Sequence, residues 1–235
     1  MLFGSFKQRQ RHAELMDAET VDPDQLRRSL RFLRRVNRLF GYTRASIRHL
    51  QRFSRTWEPG RIIKILDVAT GSGDIPQAVA NWARRRGFEV RIVALDRHSA
   101  TLHEAKARNH ERSIQLIQAD ALQLPFDTGA FDYAMTSTFL HHLSDDQAVV
   151  ALREMARVSR RGIIAADLLR SRRAYLWVRL FTSLANPVVR HDGPVSIKHA
   201  FSRGEILRMR DQAGLEFAHF YPHFGHRFVL AGERH

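Results

Sequence analysis

Three acidic residues, each ending an apolar run and set about one strand–helix unit apart, are the first positions in this sequence able to act together. Asp67 ends IIKILD and leads into Ala69-Thr70-Gly71-Ser72-Gly73-Asp74; Asp96 ends RIVALD, 23 residues after Gly73; Asp120-Ala121 follows SIQLIQ, 24 residues further on. Two glycines two apart after a buried run let a ligand approach the backbone without meeting a Cβ. A pyrophosphate is disfavoured there. Asp67 and Asp74 would repel it, and Pro76 stands where a dinucleotide fingerprint carries its third glycine. The same carboxylates suit a cationic ligand without phosphate, such as the ammonium and sulfonium of S-adenosylmethionine. Asp96 at a strand tip can accept from both ribose hydroxyls. Asp120 can accept from an adenine amino group while Ala121 and Leu122 cover the base.

Histidines supply the second kind of chemistry. His141 and His142 follow the run FDYAMTST, at the end of a strand candidate, where a neutral imidazole could take a proton from a phenol or a carbon acid. His191, His199, His219, His223 and His226 are further candidates, but none has a metal-ligand spacing, and no metal is expected. Ser144-Asp145-Asp146 opens QAVVALREMARV and reads as a helix cap with dipole partners. The chain has no cysteine. Thiol nucleophiles, disulfides and cysteine metal sites are excluded, together with pyrimidine carbon-5 methylation through a cysteine adduct.

The elements that must position these residues follow from periodicity. IIKILDVA, RIVALD, SIQLIQAD, FDYAMTST and GIIAADLL read as strands, with helices over about 74–86, 99–109 and 145–159 between them. Strands alternating with helices predict a doubly wound α/β fold with a mostly parallel sheet covered on both faces. A further helix is expected over about 202–213, and LEFAHFY and RFVLAG read as terminal strands. Ahead of this domain, 61–235, residues 1–60 form a helical appendage. Asp22 is its N-cap, Leu26, Leu30, Leu33, Val36 and Phe40 its apolar stripe, and a second helix runs from about 43 to 53. The connection 169–200, with its YLWVRLF stretch, is longer than an ordinary loop and reads as a lid insertion.

Formal net charge is +14, and only four of the 38 basic residues are lysine. The first 60 residues hold 13 basic against 6 acidic side chains, which raises a polyanion-binding surface beside a simple solvated face. The stretch 174–189 is interrupted by Arg179 and Pro187, so neither a membrane span nor stable membrane insertion is expected. The start MLFGSFKQRQRHAE lacks the features of a secretory leader, and a cytoplasmic protein is expected.

The words LDVATGSGD, VALD, QADALQLPF, FDYAMTSTFLHHLSD and the pair REMARV with GIIAAD resemble the class I S-adenosylmethionine-dependent methyltransferases. The likeness is strongest to the branch that includes ubiquinone/menaquinone biosynthesis methyltransferases, over about residues 61–232. It implies a seven-stranded Rossmann-like sheet and S-adenosyl-L-methionine as cofactor. Cofactor-binding roles fall on Asp67, Ala69, Gly71, Gly73, Asp96, Arg97, Asp120 and Ala121, with Asp67 mainly ordering the loop and Ser137 beside the methionine end. One departure is Ser159-Arg160-Arg161-Gly162, where the family carries a proline-glycine-glycine turn. The appendage word ELMDAETVDPDQLRRSLRFLRRVNR resembles that of small-molecule methyltransferases of polyketide-type pathways. The expected acceptor is therefore a small apolar or aromatic molecule, phenolic, quinol or polyketide-like, beneath the appendage and a lid lined by Tyr175, Trp177 and Phe181. The alternative is RNA ribose methylation on the basic surface. Amino-group methylation of bases is disfavoured because Thr136-Ser137-Thr138-Phe139 lacks the Asn/Asp-Pro-Pro-aromatic word.

Overall fold

The apolar runs become the strands of one seven-stranded sheet: β1 (Ile63–Val68), β2 (Val90–Asp96), β3 (Ile114–Gln118), β4 (Phe131–Ser137), β5 (Ser159–Leu168), β6 (His219–His223) and β7 (Arg227–Glu233). The helices are α1 (Pro23–Leu39), α2 (Tyr42–Phe53), α3 (Asp74–Arg85), α4 (Ser99–Lys106), α5 (Asp145–Val158), α6 (Arg172–Phe181), α7 (Pro187–His199) and α8 (Arg203–Gln212). This computed structural model describes residues 6, 8–10, 22–39, 41–109, 111–224 and 226–234. The expectations resting on Phe40 and on most of the first 21 residues lie outside them.

Strand order is β3-β2-β1-β4-β5-β7-β6. β1 pairs in parallel with β2 and β4, and β4 with β5, whereas β7 runs antiparallel between β5 and β6. The order reverses between β1 and β4, and the carboxyl ends of the parallel strands open there into the crevice where such sheets take their ligands.

Period-two alternation divides the core into two layers. Leu66 and Val68 of β1 face a layer with Leu152 and Met155 of α5 and Phe201, while Ile63 and Ile65 face Val79 and Trp82 of α3 with Leu50 and Phe53 of α2. The appendage is thus part of the core through α2, and Trp57 fixes its end by donating from Nε1 to the buried Tyr133 hydroxyl at 2.8 Å. Asp22 caps α1 by accepting from the Gln25 N–H at 3.0 Å.

Three boundaries differ from the sequence reading. α5 ends at Val158 and β5 begins at Ser159, so SRRG lies inside the strand. Gly162 is required there, because a Cβ would lie 2.2 Å from the Gly232 carbonyl oxygen on β7. The sixth strand is His219–His223 rather than LEFAHFY. Leu215–Ala218 forms a turn closed by Ala218 N–H on the Leu215 carbonyl, pressed so closely on Gly232 that a Cβ there would sit 2.0 Å from the Phe217 oxygen. The insertion folds into α6 and α7, a helical hairpin started by Ser171 and Asn186 as side-chain N-caps.

Candidate functional site

The loop Ala69–Gly73 follows β1 and turns sharply into α3. Ala69, Gly71 and Gly73 all take left-handed backbone angles, with φ of 56°, 56° and 72°. Asp96 at the tip of β2 holds this loop: its Oδ2 accepts from the Gly71 N–H at 3.0 Å and its Oδ1 from the His98 N–H at 3.0 Å. A carboxylate offers about four acceptor directions, so lone pairs remain for two hydroxyl donors. Asp120 is exposed and accepts from the Leu122 N–H at 2.8 Å, which presents Ala121 and Leu122 to the same cleft.

The cleft, about 270 Å³, is lined by Asp67, Ala69, Gly71, Asp96, Arg97, Asp120, Ala121 and Ser137, bringing together eight of the nine expected binding residues. Gly73 is the exception. It is buried, and a Cβ there would meet Ala105 at 3.6 Å, so its part is the turn into α3 and its packing on α4.

Asp67 is buried and its Oδ2 has no hydrogen-bond partner. Burial, together with the neighbouring carboxylates of Asp74 and Asp96, pushes its pKa up to about 7. An unpartnered buried carboxylate oxygen in a cleft wall suits a cationic group, and at Gly71 the space a Cβ would occupy is open. The residues present therefore fit an S-adenosylmethionine-like ligand: acceptors for a ribose at Asp96, an apolar cover at Ala121 and Leu122, and negative charge at Asp67 for an ammonium.

α1 forms the opposite wall through Leu26, Leu30, Leu33 and Asn37. The Asn37 amide donates to Asp74 Oδ2 at 3.0 Å, and Arg27 pairs with Glu104 on α4 at 3.0 Å, so the helix is fastened at both ends to the loop and its neighbour. Sequence periodicity marks the leucines as an apolar face; that Asn37 interrupts it to reach Asp74 is visible only in three dimensions.

The histidine pair divides. His142 lines the cleft beside Ser137, Thr138 and Phe139. His141 does not: it is buried, with Nδ1 2.6 Å from Asp167 Oδ1, and its N–H donates to Asp167 Oδ2 at 3.1 Å. As a base in direct contact with an acceptor, His141 is therefore set aside, because its ring is committed to a buried carboxylate. The two imidazoles lie close, centroids 4.2 Å apart and their planes tilted by 36°. Burial pushes the Asp167 carboxyl up, but the charge and hydrogen bond of His141 outweigh it and hold Asp167 below the usual carboxylate range. Asp167 was missed by the sequence reading, although it is one more acidic residue at the tip of a parallel strand.

Arg9 was missed as well. Its guanidinium donates to the carbonyls of His141 and Leu143 at 3.0 and 2.9 Å and to that of His199 at 2.6 Å, pairs with Asp145, and lies over the Phe201 ring at 3.7 Å. This clamps the histidine turn to the start of α5 and the end of α7. A lone arginine in a sequence rich in them gives no signal of this.

The insertion departs from expectation. No residue of 169–200 is among those lining the cleft. Trp177 is 65% exposed, Phe181 packs against Phe32 of α1 and Tyr175 against Phe6, and none of the three lines this cleft. Two of the further histidine candidates lie elsewhere: His191 pairs with Asp192, and His226 lies 3.1 Å from the Ser171 hydroxyl. Among the described residues no three His, Asp or Glu side chains gather as a metal site.

Residues 65–162 match the family model described as a methyltransferase domain. That stretch, less than half of the chain, is similar to a methyltransferase domain. The likeness in fold extends over nearly the whole chain. A methyltransferase from Aquifex aeolicus described as S-adenosylmethionine-dependent superposes over 91% of this chain and 99% of its own, with a TM-score of 0.61 at 15% identity. Human N-acetylserotonin methyltransferase, solved with S-adenosylmethionine, superposes over 91% of this chain and 56% of its own, with a TM-score of 0.65 at 15% identity. Among curated relatives, the ubiquinone/menaquinone biosynthesis C-methyltransferase UbiE of Idiomarina loihiensis is 36% identical over 106 residues, 43% of this chain and 40% of its own. Demethylmenaquinone methyltransferase of Staphylococcus carnosus is 35% identical over 116 residues, 46% and 47% of the two chains. The chain thus spans less than half the length of these curated relatives. The family match runs from within β1 to within β5, whereas α1, α6 and α7 fall outside it.

Proposed function

We propose that the protein transfers a methyl group from S-adenosyl-L-methionine to a small apolar or aromatic acceptor with an ionisable O–H or C–H, of the phenol or quinol class. The observation that carries this reading is the composition of one cleft. One wall presents Asp67, Asp96 and Asp120, and the other presents the leucines of α1, with His142 also in the lining beside Ser137 and Phe139 and His98 beside Asp96. An RNA backbone would meet mostly apolar side chains and carboxylates there, with Arg97 the one arginine or lysine of the lining. The names of the curated relatives, both quinone-pathway methyltransferases, lend weight to a quinol-like acceptor.

When bound, the cofactor supplies an electrophilic methyl on a sulfonium, which leaves with its bonding electron pair returned to sulfur. The chain's own residues bind and orient. Asp96 accepts from the ribose, Ala121 and Leu122 cover the base, and Asp67 faces the ammonium. Leu26, Leu30 and Leu33, with Phe139, exclude water from the acceptor; position and dryness can account for most of the acceleration in such a displacement. His142 takes the acceptor's proton as the new bond forms. His141 and Asp167 are positioning residues: Asp167, held below the usual carboxylate range by the charge and hydrogen bond of His141, fixes the His141 ring, against which the His142 ring is set.

The test incubates the purified protein with labelled S-adenosylmethionine and, separately, hydroquinones bearing apolar side chains, simple phenols and total RNA. Label in the organic extract supports the reading, and label in RNA alone overturns it. His142→Ala should lower kcat by about 10²- to 10⁴-fold while cofactor Kd stays unchanged. An unaltered kcat would remove His142 from proton transfer.

A further inference from the structure

α6 and the turn after it carry a run of large apolar side chains that stand exposed among the described residues. Leu176, Trp177 and Leu180 on α6, with Leu184 in the turn that follows, fall at three- and four-residue steps, and their exposure runs from 53% for Leu176 to 98% for Leu184. The opposite side of the helix, Ala174 and Val178, is turned inward. Such a cluster of large side chains in water is a cost that soluble surfaces rarely carry without use.

The charges around it have one sign. Residues 170–200 contain six arginines and lysines and one acidic residue, Asp192, which is buried and faces His191 at 2.8 Å. Arg172, Arg173 and Arg179 are exposed on α6 itself, between and beside the apolar side chains. A groove of about 360 Å³ between α6 and α7 adds Arg190, His191 and Lys198. Across the Phe181–Phe32 contact, Arg28 and Arg35 are exposed on α1 one helical turn either side of Phe32.

We infer that the α6 face docks on an anionic phospholipid bilayer, Trp177, Leu180 and Leu184 entering the interfacial layer while the surrounding arginines lie at headgroup level. An apolar ridge with a tryptophan, rimmed by cations on a short helix too polar to span, is the arrangement that binds at the plane of such a surface. Among the described residues no helix is long and apolar enough to cross a membrane, so the attachment is peripheral. The two macromolecular alternatives fit less well. A second copy of the chain would bring two strongly cationic faces together, and a nucleic acid would leave the leucines unpartnered. The inference stands apart from the proposed reaction, since attachment is measured without turnover.

The chain's three tryptophans make the test specific. Trp57 and Trp82 are buried, so a change in emission on adding vesicles reports Trp177. With vesicles rich in phosphatidylglycerol, the emission should shift to the blue and the protein should sediment with the lipid. Neither should happen with phosphatidylcholine alone, and high salt should weaken the binding. Trp177→Ser with Leu180→Ser, both exposed positions, should keep the melting temperature and reduce partitioning roughly 10- to 100-fold by cosedimentation. Replacing Arg173 by Gln should cost about fivefold. Absence of sedimentation and of a spectral shift with phosphatidylglycerol vesicles would overturn the inference. So would a self-association or an RNA complex that the double variant abolishes while lipid binding stays nil.

Discussion

Asp96 serves two purposes, and its substitution separates them. Each carboxylate oxygen already accepts one backbone N–H, from Gly71 and from His98, and the proposed ribose contacts use the remaining lone pairs. Asp96→Asn keeps the size but turns an amide NH2 toward one of those N–H donors and removes the charge. S-adenosylhomocysteine affinity should fall about 10- to 100-fold by calorimetry. Asp120→Asn, at an exposed position, should cost less than about fivefold. Equal losses at the two positions would contradict the geometry. At this scale the cofactor side of the cleft was legible, because strand-tip residues inherit their place from the register of a parallel sheet. The division between His141 and His142 was not. Adjacent residues in a tight turn point in different directions, and which of them meets solvent depends on Asp167, 26 residues away.

Among the elements, the turn bearing His142 is the one held most indirectly. Phe139 to Leu143 leaves β4 through Thr138, a β-branched residue with φ of 53°, a strained conformation kept in place by its surroundings. Arg9 supplies much of that restraint by satisfying the His141 and Leu143 carbonyls while bridging to His199 and Asp145. Arg9→Ala should therefore impair the acceptor reaction more than cofactor binding. A fall of about tenfold or more in kcat/KM for the acceptor, with cofactor Kd within about twofold, is the expected split. Equal changes in both would mean that Arg9 only stabilises the fold. The helices of the appendage could be read from their 3- and 4-residue apolar steps. Where the insertion would lie could not: its apolar residues looked like a lining for the acceptor, yet composition does not tell an inward-facing aromatic stripe from an outward one. The exposed ridge of α6 is that ambiguity resolved in the less expected direction.

For the whole molecule, Asp67 couples ligand binding to stability. Its pKa is about 7 in the ligand-free fold, against an unfolded value near 3.8, so between those pH values the folded state binds the extra proton. Stability from this group is greatest at low pH and declines as pH rises through about 7, because a desolvated charge beside Asp74 and Asp96 is then only partly compensated by the Thr70 hydroxyl. A cationic ligand reverses the preference: it stabilises the ionised form, so its affinity should rise with pH up to about 7 and level off above it. The increase in melting temperature produced by a fixed S-adenosylmethionine concentration should accordingly be larger at pH 8 than at pH 6. Asp67→Asn should raise the melting temperature of the ligand-free protein at pH 8 and flatten the pH dependence of the ligand-induced increase. Thermal scans across this range with both proteins decide the matter. If the ligand-induced shift in the wild type does not grow between pH 6 and 8, Asp67 does not face the ligand's cationic end, and its burial is a feature of the loop alone.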